Sequence, residues 1–170
     1  GGATVVGFEY DPQGNLANKS GQAYQFDYGN RLRSVVGKEN YRYDGHGRRV
    51  LAWDVASTHS ILSMYSNGGQ IMYQEDYKNA KNQENIYLAG SLIAIREWAH
   101  SNVLSVKFQH TDALGSPIAV TNQAGVVIER NDYEPYGAMI GKPNYQGIGY
   151  TGHVQDAATG LTYMQQRYYD

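Results

Sequence analysis

Several kinds of side chain in this sequence could do chemistry by their type and spacing. Asp11, Asp27 and Asp44 recur at intervals of 16 and 17 residues, and a recurring carboxylate suggests calcium. Calcium, however, needs about six to eight clustered oxygens. Each of these aspartates instead precedes a turn-forming segment: Pro12-Gln13-Gly14, Tyr28-Gly29-Asn30 and Gly45-His46-Gly47. An Asp in that place opens a turn by accepting a hydrogen bond from the backbone two residues on. Turn initiation is the stronger reading for all three, and for Asp112 before Gly115. Among the five histidines (46, 59, 100, 110 and 153), His110, Asp112 and His153 form the most plausible metal trio. There is no His-x-x-x-His pair, so the histidines read as structural or surface groups. No cofactor is indicated. The tyrosines could stack on sugars, but a tyrosine ladder more often packs across strands. The glycine-rich run from Gly141 to Gly152 contains no phosphate-binding loop and fits a chain crossing.

These residues need elements to hold them, and composition indicates which. The chain has 170 residues, enough for one domain with a real core. It has 16 tyrosines against 3 phenylalanines, 20 glycines and no cysteine. Without cysteine there is no disulfide framework, thiol nucleophile or thiolate metal site. A net charge of −2 with no basic run argues against nucleic-acid or anionic-membrane partners held by bulk charge. The longest aliphatic run, Leu92 to Ile95, is far too short to span a bilayer. No signal peptide is visible, and the absence of an initial methionine suggests a piece of a longer protein. Abundant Tyr and Gly together indicate strands with a partly wet face, separated by many turns.

The pattern is a repeat. Phe8-Glu9-Tyr10-Asp11, Tyr24-Gln25-Phe26-Asp27 and Tyr41-Arg42-Tyr43-Asp44 each read aromatic-x-aromatic-Asp, followed by a glycine-bearing turn and an aliphatic residue. Aromatics at i and i+2 share one face of a strand. One period is therefore a hairpin. Gly14 and Gly47 sit where the turn needs positive φ, whereas Gly29 comes one place early, so the Asp27 turn is expected to differ in shape. Asn67-Gly68-Gly69 and Gly90-Ser91 mark further hairpins. The polar stretch from Asp76 to Asn85 reads as a loop and the best candidate for disorder. No helical periodicity appears, and turns every 8–12 residues predict a β meander.

The aromatic-x-Tyr-Asp-x-x-Gly repeat resembles the YD repeat of Rhs proteins, insecticidal toxin-complex proteins and teneurins. Ile86 to Ala94 looks like that family's tyrosine-leucine-glycine hairpin. His110-Thr111-Asp112-Ala113-Leu114-Gly115-Ser116-Pro117 is similar to its His-x-Asp-x-Leu-Gly-Ser-Pro signature. Tyr133-Glu134-Pro135-Tyr136-Gly137, Thr159-Gly160-Leu161 and Arg167-Tyr168-Tyr169-Asp170 are similar to the later elements of the Rhs-associated core.

The resemblance implies an all-β fold of consecutive antiparallel hairpins, forming a curved, spiralling sheet that is part of a shell. It divides the chain into repeat hairpins (1–60) and a core region (61–170), within one continuous structural domain. It implies a structural role: encapsulating a C-terminal toxin for delivery to competing cells through a specialised secretion system. It also implies autoproteolysis in relatives, carried here onto Arg167 and Asp170. An aspartyl-protease step needs two carboxylates sharing a proton. The second family aspartate is not in this stretch, so no cleavage is expected from it alone. Two other roles stay open: a self-cleaving protease core, and a carbohydrate-binding surface module. The open sheet edges predict self-association.

Overall fold

A computed structural model describes residues 6–99, 104–165 and 167–169. Thirteen strands form one antiparallel meander in chain order. They are β1 (Phe8–Tyr10), β2 (Leu16–Lys19), β3 (Gln22–Phe26), β4 (Leu32–Val35), β5 (Glu39–Tyr43), β6 (Arg49–Asp54), β7 (Ser60–Tyr65), β8 (Ile71–Asp76), β9 (Lys81–Leu88), β10 (Ser91–Ala99), β11 (Leu104–Thr111), β12 (Pro117–Thr121) and β13 (Val127–Arg130). A second sheet holds β14 (Gly147–Ile148), β15 (Val154–Gln155), β16 (Thr162–Tyr163) and β17 (Tyr168–Tyr169). Among the described residues the sole helical element is a 3-10 turn at Tyr150–Gly152. The large sheet crosses residue 60 without a break, since β6 pairs with β7.

One turn frame recurs. In the segments starting at Asp11, Asp27, Asp44, Ser66, Asp112, Asn122 and Glu134, the first residue's N–H donates to the fifth residue's carbonyl. The fourth residue's N–H donates back to the first carbonyl. The fourth residue has positive φ throughout: Gly14, Asn30, Gly47, Gly69, Gly115, Gly125 and Gly137. Contrary to expectation, the Asp27 turn has this same shape. Asn30 takes the left-handed position at φ 59°, and Gly29 does not need it. Asn tolerates that region because its short amide bonds locally. At six of these turns the register slips by one residue where the returning strand begins, for example Arg42↔Leu51 but Tyr43↔Arg49. Each slip is a bulge, and bulges bend and twist a sheet.

The stretch from Asp76 to Asn85 is not a loop. β8 runs to Asp76, a short turn follows, and β9 starts at Lys81. The turn between them is mostly exposed, but polar side chains of both strands point into the protein and misled the pattern. Gln74, Asp76, Gln83 and Asn85 are all buried. They are satisfied there: Gln74 Nε2 donates to Ser63 Oγ at 3.0 Å, and Gln83 Nε2 to Asn85 Oδ1 at 2.7 Å.

The small sheet covers one face of the large one. Leu161 packs with Leu32, Val35, Tyr41 and Ala52. Ile148, Val154 and Tyr163 pack with Ile71 and Leu92. Two apolar clusters therefore join the last part of the chain to strands β4 through β10, and burying such side chains is what fixes the two sheets together.

Candidate functional site: an arginine held in a tyrosine cage

Arg49 is the first residue of β6, delivered to the covered face by the Asp44 turn. Its side chain is almost wholly buried, and so is Asp156, which follows β15. The two form a bidentate pair: Arg49 Nη1 donates to Asp156 Oδ2, and Nη2 to Oδ1 at 2.8 Å. Three rings surround the guanidinium, with centroids at 4.5 Å (Tyr163), 4.9 Å (Tyr41) and 5.8 Å (Tyr168). The rings also meet one another, Tyr163 with Tyr168 at 5.2 Å and Tyr41 with Tyr168 at 5.6 Å. Even the backbone of Arg49 is tied. Its N–H donates to the Tyr163 hydroxyl at 2.8 Å, and its carbonyl accepts from Tyr65 at 2.7 Å.

Burial works against a charge at Arg49, but Asp156 outweighs it and holds the guanidinium well above its ordinary pKa. Burial pushes the Tyr41 and Tyr168 phenols up, and Asp156 adds to both shifts. Tyr43, whose hydroxyl is 2.8 Å from that of Tyr168, is pushed up to about 12, chiefly by burial. All these rings stay neutral at physiological pH. With both oxygens of Asp156 engaged and no exposure, this aspartate has no free lone pair turned towards a substrate. The site is a latch between two sheets.

The other tyrosines of the repeat have a common task. The residue five places after a turn's start sits at the bulge, and its carbonyl is reached by a tyrosine of the next hairpin. Tyr43 donates to Leu32 at 2.5 Å, Tyr65 to Arg49 at 2.7 Å, Tyr87 to Ile71 at 3.1 Å and Tyr133 to Pro117 at 2.7 Å. Asparagines join two of them: Asn85 donates to Ile71 at 2.9 Å and Asn131 to Pro117 at 3.0 Å. Buried polar backbone must be paired, and these hydroxyls do it. They leave fewer rings free for sugar stacking.

The turn aspartates close their own loops. Asp11 Oδ1 accepts from the N–H groups of Gln13 and Asn15, Asp27 from Gly29 and Arg31, Asp44 from His46 and Arg48, and Asp112 from Leu114 and Ser116. Neighbouring turns are also laced together: Asn15 Nδ2 donates to Asn30 Oδ1 at 3.0 Å, and Arg48 Nη1 to the Ser66 carbonyl at 2.7 Å.

Arg167 is exposed and lines a cavity of about 480 Å³ with Tyr24, Phe26, Tyr43, Leu161 and Tyr168. Asp170, its expected partner, lies outside the described residues, as does His100. Among the described residues no three His, Asp or Glu side chains gather as a metal site. His110 faces Thr121 Oγ1 at 3.0 Å, whereas half-buried His153 has its pKa lowered by desolvation. Sequence reasoning missed Arg49 and Asp156. One signal was available: Asp156 opens a glycine-bearing turn, one residue longer than the repeat turns, with Gly160 at φ 75°, and its carboxylate is left for Arg49.

The teneurin YD-shell family matches residues 2–170. The chain belongs to that family. Mouse teneurin-4 is 28% identical over 177 residues, which cover 97% of this chain and 6% of teneurin-4. The double-stranded DNA deaminase toxin A of Burkholderia cenocepacia is 24% identical over 202 residues, covering 96% of this chain and 14% of the toxin. Among solved structures, the Photorhabdus luminescens Tc holotoxin pore overlays with a TM-score of 0.66 at 19% identity, over 95% of this chain and 9% of that one. The chain thus spans a small fraction of these relatives. Its all-β sheet of hairpins is a YD-shell segment with a structural role. The tyrosine and aspartate of the YD repeat have distinct physical tasks here, as at Tyr43 and Asp44: the phenol bonds the preceding hairpin, and the carboxylate closes the turn. No helix among the described residues is long and apolar enough to cross a membrane.

Proposed function

We propose that this segment closes one end of a YD shell around a C-terminal toxin domain, which is then delivered to competing cells through a specialised secretion system. The observation that carries this reading is the Arg49–Asp156 latch. It fixes the last part of the chain onto the covered face of the hairpin sheet, where a cap must be held against its own tendency to open. Similarity to a deaminase toxin supports a toxin as the enclosed partner. Within this reading, residues 1–60 are wall and 61–170 carry the motifs of the cap, built on one continuous sheet. The test uses the natural reading frame with whatever follows residue 170. Limited proteolysis should spare the C-terminal domain in the wild type and degrade it when Arg49 is replaced by Ala. Equal protection in both proteins would remove the latch from the closing role.

A second reading has one supporting observation. Arg167 stands at the mouth of a 480 Å³ cavity walled by aromatic rings, large enough to seat a peptide segment. In that reading Arg167 orients a scissile carbonyl and Asp170 supplies one carboxylate of a self-cleaving pair. Replacing Asp170 by Asn in the natural protein should then stop cleavage on a gel. Unchanged cleavage would dismiss it.

A further inference from the structure

The turn Ser66–Gln70 departs from its neighbours at one point. At Asp11, Asp27, Asp44 and Asp112 the carboxylate holds the N–H of the third turn residue, namely Gln13, Gly29, His46 and Leu114. Ser66 occupies that place here, and its hydroxyl accepts from Gln70 N at 3.2 Å. Among the described residues the Gly68 N–H has no acceptor, and the Asn67 side-chain amide has no partner. Both residues are exposed. The third residue is also a glycine, so no side chain shields its nitrogen. An untethered asparagine amide therefore stands next to an untethered, unshielded backbone nitrogen.

We propose that Asn67 is a site of spontaneous deamidation in the folded protein, at a turn whose third N–H lacks the side-chain acceptor that the Asp-initiated turns supply. The Gly68 nitrogen, losing its proton, bonds to Asn67 Cγ. The Cγ–Nδ2 bond breaks and ammonia leaves with the proton. The resulting five-membered imide is opened by water at either carbonyl, giving aspartate or isoaspartate at position 67. No electron is gained or lost. Asparagine is thermolabile through this chemistry. Asp44-Gly45 has the same glycine neighbour but a fixed carboxylate, engaged by His46 N, Arg48 N and Arg48 Nε.

The position gives the change a consequence. Arg48 Nη1 bonds the Ser66 carbonyl, and Gln165 Nε2 bonds the Gly69 carbonyl at 3.2 Å. Isoaspartate inserts a methylene into the main chain between those two anchors. It would shift Gly69 away from Gln165 and loosen the segment that leads to Arg167. The inference stands independently of the shell-closing role.

The experiment ages the native protein at mildly alkaline pH and maps its peptides by mass spectrometry. Acid should accumulate at position 67, faster as pH rises, with isoaspartate detected by enzymatic methylation. Asn15 and Asn122 should keep their amides. Gly68→Ala should slow conversion several-fold with an unchanged melting temperature. Its Cβ would meet only Ser66 Oγ at 3.7 Å, and the backbone there needs no positive φ. The proposal fails if Asn67 keeps its amide while a free peptide of residues 60–75 converts. It fails equally if Gly68→Ala converts as fast as the wild type.

Discussion

The Tyr65 hydroxyl donates to the carbonyl of Arg49 at 2.7 Å, joining the end of one hairpin to the bulge of the preceding one. The same relationship links Tyr87 to Ile71 and Tyr133 to Pro117, each pair 16 residues apart. It explains why the repeat uses tyrosine where phenylalanine would pack as well. A bulge removes one carbonyl from the ladder, and the phenol restores its partner.

Tyr65→Phe should therefore destabilise more than the loss of an exposed hydroxyl would. The ring stays, but the Arg49 carbonyl loses its partner in a buried setting. Leaving such a group unpaired costs about 1–3 kcal/mol. Urea unfolding should show a lower midpoint with an unchanged slope, and Tyr87→Phe should lose less, because the Asn85 amide still donates to the Ile71 carbonyl. Tyr10→Phe, on an exposed side chain of β1, should have almost no effect.

The converse holds at β3. Phe26 precedes Asp27 where Tyr43 and Tyr65 precede their turns, so the Leu16 carbonyl is the one the series would stitch. Phe26 and Leu16 both line the cavity beside Arg167. Phe26→Tyr should place a hydroxyl within reach of it and raise stability by about 0.5–1.5 kcal/mol. A midpoint that stays put or falls would show that the cavity, and not the missing hydroxyl, sets the local geometry.

Much of the fold was legible because hairpins are local. Aromatic-x-aromatic-Asp fixed strand faces and turn starts from residues a few places apart, and the all-β meander follows directly. The exceptions have particular causes. Asp76 to Asn85 reads as a loop because Asp76, Gln83 and Asn85 are polar side chains buried on hydrogen-bond partners, and alternation of hydrophobicity cannot register a polar interior. Asn30 took the place of a glycine, so the turn at Asp27 kept its shape under a shifted pattern. Arg49 and Asp156 are 107 residues apart, and nothing local announces that they meet.

Acid should act first on the turns. Asn15 lowers the pKa of Asp11 through its side-chain amide. At Asp27, Asp44 and Asp112 desolvation opposes the charge but is outweighed by backbone N–H groups, helped at Asp27 and Asp44 by Arg31 and Arg48. A carboxylate with a depressed folded pKa contributes stability above its unfolded value, about 3.9, and loses it as pH falls through the folded value. The contribution of these carboxylates should thus be flat from neutrality down to about pH 5 and decline below that, on top of a shallower loss below about pH 6.5 from His153, whose pKa burial lowers. Asp44→Asn should shallow the acid limb of a midpoint-versus-pH curve. A wild-type curve that is flat down to pH 2 would contradict the role given to these groups.

The latch makes the sharpest demand. Removing Asp156 strands a buried guanidinium, and removing Arg49 strands a buried carboxylate. Breaking one side of such a pair costs about 3–5 kcal/mol, whereas replacing both sides by apolar groups of similar volume is often neutral. Asp156→Leu should therefore be severely destabilising, and Arg49→Met combined with Asp156→Leu should recover most of the loss. Hydrogen exchange distinguishes a latch from general support. In Asp156→Leu the amides of β15 and β16 should lose protection before those of β11 and β12, because the hydrogen-bond ladder to β10 and β13 still holds those strands in the large sheet. Uniform loss across both sheets would mean that the pair supports the whole fold and that the small sheet is not held by it in particular. If the double variant proves no better than the single one, the three rings rather than the charges are what require an arginine at position 49.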